Sequence, residues 1–492
     1  MRDQLFQLWS GSGASLQSQV REMMVRAILD GHIPPSAAVP SCRQLAQQLG
    51  VARNTVVLAY QRLVDEGYLS ARERSGYYVS DDILRGRADT AQTTEDSPDN
   101  DEVFAPIWAQ RLRMTPSKQR NILKPTDWQR HPYPFLYGQL DLALFPLAEW
   151  RECSREALTA HSVRRWARDS VDSDDPDLVE QLRTRVLPRR GVWARTDEIL
   201  VTLGAQHALY LIARLLMSAD TIVGIENPGY TDARNIFSTH SDNVRALALD
   251  EHGLIPGPQV EACEYVFVTP SHQHPTTSTL NKERRQQLLN SAVDSDYVII
   301  EDDYESETNY VGNATPALKS TDHNGRVIYV GSLSKTIAPG LRLGYMVGPP
   351  ELIREARALR RLILRHPPAN NERAVALFLA RGHHDSLVRR LSHAYKERWQ
   401  AMGDALAKFF PESSRTPTFG GTAYWVCGPQ DLDARVLSVR AEQQGILIEP
   451  GDIFFHQQDP PLNYFRLGFS SIPVERIEAG IEKLAVLAHS LA

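Results

Sequence analysis

The sequence predicts an α/β protein: a small helical module with a β-wing, then a large domain built on a mostly parallel central sheet. Three observations predict it. Short apolar runs, each ending in a polar cluster, recur between residues 199 and 330. Segments of helical period lie between them, and such alternation marks a sheet covered by helices. Ahead of both, residues 16–79 carry three helical patterns and two short strand patterns of their own.

A chain of 492 residues exceeds one ordinary domain and suggests two or three. Apolar content of 42% and charged content of 23% belong to a globular chain with a sizeable core. The net charge of −6 excludes a global attraction to nucleic acid. Residues 1–80, however, hold eight Arg and no Lys against six Asp or Glu, so 8 − 6 = +2 there and −8 in the remainder. Cys42, Cys153, Cys263 and Cys427 lie far apart, which indicates neither a disulfide framework nor a metal site. The N-terminus lacks the apolar core of a secretory signal, and no run of about eighteen apolar residues occurs. A cytoplasmic chain without membrane association is expected.

In residues 1–80, apolar Leu16, Val20, Met23, Met24, Ala27 and Ile28 predict an amphipathic helix that Gly31 and Pro34-Pro35 end. A second helix follows Pro40, with Ser41 as its cap. After Gly50, a third carries Val56, Ala59, Tyr60, Leu63 and Val64 on one face, with Arg53, Asn54, Thr55 and Gln61 on the other. Helix, glycine turn and helix form the outline of a helix-turn-helix, whose second helix enters the major groove. Tyr68-Leu69-Ser70 and Gly76-Tyr77-Tyr78-Val79 read as wing strands, with Arg72 to Ser75 at the tip. Arg43, Arg53 and Arg74 suit phosphate contact or guanine reading. This segment resembles the winged helix-turn-helix of the GntR family, whose pattern L-P-S-x-R-x-L-A-x-x-L-G-V-S-R-x-T-V is V-P-S-C-R-Q-L-A-Q-Q-L-G-V-A-R-N-T-V here. The resemblance implies that Arg43, Arg53, Thr55 and Gly76 face DNA. Ala52 departs from the family's serine and cannot cap the third helix with a side-chain oxygen.

Residues 81–130 read as a linker and arm. From Asp81 to Glu102 there are eight acids, two arginines and no aromatic residue, a composition that predicts disorder. Residues 104–128 read as an arm that packs on a neighbour.

Residues 131–492 read as the large α/β domain. Strands are expected at 199–202, 221–225, 265–268, 297–300 and 326–330, with a helix over 205–217. Tyr297-Val298-Ile299-Ile300 leads into Glu301-Asp302-Asp303-Tyr304, and Val327-Ile328-Tyr329-Val330 into Gly331-Ser332-Leu333-Ser334-Lys335. Ligand groups gather outside the carboxyl ends of such strands. Asp302, Tyr304 and Lys335 therefore converge in expectation, with Arg342 close behind. Pyridoxal phosphate needs that set: an amine, a carboxylate for its pyridinium nitrogen and donors for its phosphate. Gly204 sits where a helix start favours an anion.

Together, G-A-Q-H-A-L, E-N-P-G-Y, V-T-P-S-H-Q-H-P-T, E-D-D-Y-E-S-E, S-L-S-K-T-I-A-P-G-L-R-L-G-Y, E-P-G-D-I-F-F and F-R-L-G-F-S resemble the fold-type-I aminotransferases. Fused to a GntR-like module, they resemble specifically the MocR/GabR subfamily of regulators. The resemblance implies a pyridoxal 5'-phosphate-binding domain with Lys335 as the Schiff-base lysine, Asp302 on the pyridinium nitrogen and Tyr304 on the ring hydroxyl. It places Tyr230 on the ring face, and Ser332, Arg342 and the amides of Gly204 and Ala205 on the phosphate. Arg466 stands where aminotransferases hold a substrate carboxylate. His274 occupies the position of the asparagine beside the ring hydroxyl, and Thr277 replaces the glycine of P-T-G. His207 and His272 read as packed or hydrogen-bonded.

The implied protein is a DNA-binding transcriptional regulator that senses a small amine (an amino acid, an aminosulfonate or a related amine) by external aldimine formation. It would be a domain-swapped, head-to-tail homodimer on an operator with two half-sites, with transaminase activity weak or absent. The alternative is an active aminotransferase carrying a DNA-binding appendage.

Overall fold

The computed structural model describes residues 15–72, 75–81, 108–305, 307–309, 315–415 and 420–491. The chain divides into two compact units, Met1–Arg111 and Leu112–Ala492. Glu73 and Arg74 of the expected wing tip, Ser306 of the acidic motif, and nearly all of the expected linker lie outside the described residues.

In the first unit, α1 (Leu16–Leu29), α2 (Cys42–Leu49) and α3 (Arg53–Asp65) precede β1 (Leu69–Arg72) and β2 (Gly76–Val79), an antiparallel pair. Ser41 closes a capping box on α2: its hydroxyl accepts from the Gln44 amide at 3.3 Å, and the Gln44 side chain accepts from the Ser41 amide at 3.1 Å. Gly50 ends α2 in the left-handed region at φ +66°, which glycine adopts without strain. Val20, Met24, Leu45, Val56, Tyr60, Leu63 and Val79 close a small core among the three helices and the wing. The Tyr60 hydroxyl donates to Pro40 O at 2.9 Å, so the one polar atom of that ring is paired.

The second unit is built on an eight-stranded sheet. Its strands are β3 (Ile199–Thr202), β4 (Ile222–Asn227), β5 (Asn243–Asp250), β6 (Gly253–Leu254), β7 (Tyr265–Val268), β8 (Val298–Asp303), β9 (Val327–Ser332) and β10 (Gly344–Val347). Their order is β3-β10-β9-β8-β7-β4-β5-β6. The five central strands from β9 to β5 run parallel, and β10, β3 and β6 join antiparallel. Alternation along the strands splits the core in two. Phe267 and Ile300 pack on one face with α4 (Ala205–Leu216), whereas Val266, Val268 and Ile299 pack on the other with the helix Lys282–Asp294. A smaller antiparallel sheet joins Ser414–Arg415, Ala423–Cys427, Tyr464–Gly468 and Glu449–Pro450.

The expected arm is corrected in one respect: its Gln119–Lys124 stretch packs on the large unit of its own chain. Gln119 donates to Asn235 O at 3.0 Å, Asn235 donates to Arg120 O at 2.8 Å, and Lys124 donates to Tyr137 O. Polar backbone without regular structure finds its partners there.

Candidate functional site

β8 ends in three successive buried acids, and strand alternation sorts them. Glu301 accepts from the amides of Leu318 and Lys319 at 2.7 and 2.8 Å. Asp303 accepts from Arg190 Nε at 2.7 Å and from the Tyr329 hydroxyl at 2.8 Å. Asp302 points the other way, and its Oδ1 has no hydrogen-bond partner. Burial, reinforced by Asp303, pushes the Asp302 carboxyl up to about 7. At Asp303 burial acts the same way, but the Arg190 guanidinium outweighs it and holds the acid below its ordinary value.

Asp302 faces a cavity of about 150 Å³ beyond the ends of β8 and β9. Lys335, Tyr304, Tyr230, Ala205, Ser332, Arg342 and His274 also line it, so the structure brings together all but one of the residues expected around a cofactor. The remaining one, Gly204, lies just behind: at φ +77°, a Cβ there would stand 3.0 Å from Arg342 Nη2. Burial, with the cations Lys124 and Arg466 nearby, lowers the Lys335 amine to about 8 against the opposing pull of Glu305. The Lys335 side chain is exposed into this cavity, with the other lining side chains around it.

Tyr137 was not singled out from the sequence, and it is central. Lys335 Nζ lies 4.3 Å from its ring centroid and Arg466 Cζ 4.2 Å from it. Gly138 beside it leaves room for the lysine, since a Cβ there would come within 2.8 Å of Nζ. Gln206, Ser334 and Pro339 complete the lining and were also missed.

Arg466 does not line this cavity. It is 1% exposed, and its fork is already engaged: Nε donates to Glu449 Oε2 at 2.7 Å and Nη1 to His274 Nε2 at 2.6 Å. Glu449 and Arg466 are directly opposed across neighbouring antiparallel strands, so their side chains share a face. Lys124 Nζ lies 3.3 Å from the other Glu449 oxygen. Burial would raise the Glu449 carboxyl, but Arg466 and Lys124 hold it below its ordinary value. Burial, together with Arg466, Lys335 and Lys124, pushes His274 well below the usual imidazole range, so it is neutral and accepts at Nε2. Arg466 Nη2 and His274 Nδ1 have no hydrogen-bond partner, and Glu449 Oε1 has only its ion pair with Lys124.

The glycine missing from P-T-G leaves its geometry behind: Thr277 holds φ +63°. A β-branched residue is strained there, and the buried loop maintains it through Thr277 N donating to Gln273 O at 2.6 Å. His207 Nδ1 accepts from the Leu203 amide at 3.1 Å, and His272 is buried. In the first unit, Arg43 and Arg53 are exposed in the first turns of α2 and α3 and Thr55 is half-buried. Gly76 opens β2 at φ +106°.

Residues 16–79 match the model of the bacterial regulatory proteins of the gntR family, and residues 140–484 that of aminotransferase class I and II. The chain is 40% identical to the HTH-type transcriptional regulator TauR of Rhodobacter capsulatus, over 98% of each chain. It is 30% identical to the probable rhizopine catabolism regulatory protein MocR of Rhizobium meliloti, over 95% of this chain and 93% of that one. The chain belongs to the MocR/GabR-type regulators of the GntR family. Among solved structures, the regulator superposes on Pyrococcus horikoshii kynurenine aminotransferase in complex with PMP. The TM-score is 0.69 at 27% identity, covering 79% of this chain and 97% of that one.

The regulator's cofactor is pyridoxal 5'-phosphate. The residues present fit that group: a cavity-facing amine, a buried carboxylate with a spare oxygen, and at one end a guanidinium, a hydroxyl and a helix start. No described helix is long and apolar enough to cross a membrane.

Proposed function

We propose that this pyridoxal phosphate-type, DNA-binding regulator senses a small primary amine that also carries an anionic group. The observation that carries the reading is Lys335 facing one cavity with Asp302, beside a cluster in which Lys124 and Arg466 outnumber Glu449. When bound, pyridoxal phosphate supplies an aldehyde carbon that can hold either a lysine amine or a visiting one. Lys335 anchors the cofactor at that carbon, and Asp302 keeps the proton on the ring nitrogen. Tyr304 hydrogen-bonds the ring hydroxyl, Tyr230 covers the ring face, and Ser332, Arg342 and the amides of Gly204 and Ala205 bind the phosphate. Neutral His274 fixes Arg466 behind the cavity wall, and the arginine's unpartnered Nη2 becomes a donor to the effector's anion when that wall shifts to uncover it.

In the first unit, Arg43, Arg53, Thr55 and Gly76 contact DNA. A head-to-tail homodimer presents two such modules to two half-sites. Leu123, Leu142, Trp193 and Leu362, large apolar side chains left exposed on the second unit, support self-association. Effector binding favours one arrangement of the assembly and so changes operator occupancy.

The test is a titration of the purified regulator with β-alanine and 2-aminoethanesulfonate, following the cofactor's absorbance. Borohydride trapping and peptide mapping then locate the linkage. The expected result is a cofactor-tagged Lys335 peptide that disappears as the amine is added. Persistence of the absorbance band in Lys335→Ala would overturn the assignment. Multiple turnovers with a keto acid would favour an aminotransferase instead.

A further inference from the structure

Lys335 stands between two cavities, and the cofactor assignment uses only one. The other, of about 30 Å³, is lined by Gly138, Glu305, Lys335, Tyr395 and Thr422 among others. It is large enough for a water-sized group such as an ammonium head. Glu305 is 6% exposed; its Oε1 accepts from the Thr422 hydroxyl at 2.5 Å, and its Oε2 has no partner. A buried carboxylate oxygen without a donor is costly, so its persistence calls for a cation that arrives there.

The other cations nearby are committed. His272, whose Nδ1 also lacks a hydrogen-bond partner, is held below its ordinary value chiefly by burial, against the pull of Glu305. Arg189 pairs with Glu307 and Asp385, Arg190 with Asp303, and Lys124 and Arg466 with Glu449. The Lys335 amine reaches both cavities, and Glu305 already favours its charged form.

We propose that Glu305 is a positioning residue that receives the Lys335 ammonium once a visiting amine has taken its place. This rests on the exchange proposed above. In that exchange the bond between the aldehyde carbon and Lys335 nitrogen breaks and one to the visiting nitrogen forms. Two protons pass from the visitor's ammonium to the Lys335 nitrogen, one before the new bond forms and one as the old bond breaks. With the linking nitrogen protonated before and after, Lys335 ends as an ammonium turned toward Glu305 Oε2. Two consequences follow from one ion pair. The effector-bound state is stabilised, and Lys335 is withheld as a neutral base from the carbon of the bound molecule. A sensor thereby holds its amine without processing it.

The first test uses the cofactor-free full chain and reads acylation of Lys335 against pH by peptide mass spectrometry. Lys335 in the wild type should be half-reactive near the value of about 8. In E305Q, which retains a hydrogen-bonding oxygen for Thr422, the half-point should fall by about one unit, equivalent to about tenfold. E305D, which keeps the charge, should retain the wild-type half-point. In the cofactor-loaded protein, E305Q should weaken the spectral response to methylamine by about tenfold. An unmoved labelling profile in E305Q, or an equal shift in E305D, would overturn the proposal. Failure of methylamine to release Lys335 in the wild type, with the labelling shift intact, would instead overturn the exchange reading.

Discussion

Asp302 and Asp303 are neighbours with opposite protonation tendencies, and the difference is one of partners rather than burial. Both are buried, but only Asp303 has Arg190. Asp302, pushed up to about 7, keeps a proton in the folded cofactor-free protein that the unfolded chain releases near 3.9. A raised carboxyl contributes no penalty below the unfolded value and an increasing one as pH climbs through the folded value. Cofactor-free wild type should therefore lose stability relative to Asp302→Asn between about pH 4 and 7, by on the order of 2–4 kcal/mol. Urea melts of both proteins at several pH values would check it; a difference constant with pH would count against the assignment. With cofactor bound, the ring's N–H should hold Asp302 ionised, so the same substitution should weaken cofactor retention.

At the scale of elements, α2 and α3 show what one cap does. α2 starts with the reciprocal Ser41–Gln44 box, whereas α3 starts at Ala52 with no side-chain cap. Ala52→Ser should stabilise α3 by about 1 kcal/mol. The amides of its first turn should then exchange roughly fivefold more slowly with deuterium, while DNA binding is retained. Unchanged exchange would mean that another group already satisfies those amides. The three helices were legible in the sequence because caps, glycine stops and 3.6-residue periodicity are local signals. The parallel strands were legible as apolar runs except β5, and the antiparallel β6 and β10 were missed as well. β5 carries a mixed, half-exposed pattern, and β10 is the four-residue Gly-Tyr-Met-Val. The occupied state of Arg466 was not legible. It depends on the register that sets Glu449 opposite it across two strands, and on Lys124 arriving from the arm. Neither relation leaves a mark in nearby sequence. Tyr137 escaped for the same reason: what makes it functional is the lysine and arginine that meet its ring from residues 335 and 466.

For the whole molecule, charge distribution decides how DNA can be held. A chain of net charge −6 gains nothing from long-range attraction, so affinity must come from few contacts made by the N-terminal unit. Arg43 and Arg53 are exposed in the first turns of α2 and α3, and α1 commits part of its own charge to the module, with Arg21 pairing to Glu66 at 2.6 Å. Few phosphate contacts mean a shallow dependence of affinity on salt, because each contact contributes about 0.9 to the slope of log K against log salt. If Arg43 binds phosphate, Arg43→Ala in both copies of a dimer should reduce that slope by about two and weaken all sequences alike. If it reads guanine, the slope should hold, and discrimination at one base pair per half-site should fall by about 1–3 kcal/mol. Binding isotherms at four or five salt concentrations, on a cognate and a base-substituted operator, separate the two. A variant with neither change would remove Arg43 from the interface and leave α3 and the wing to carry it.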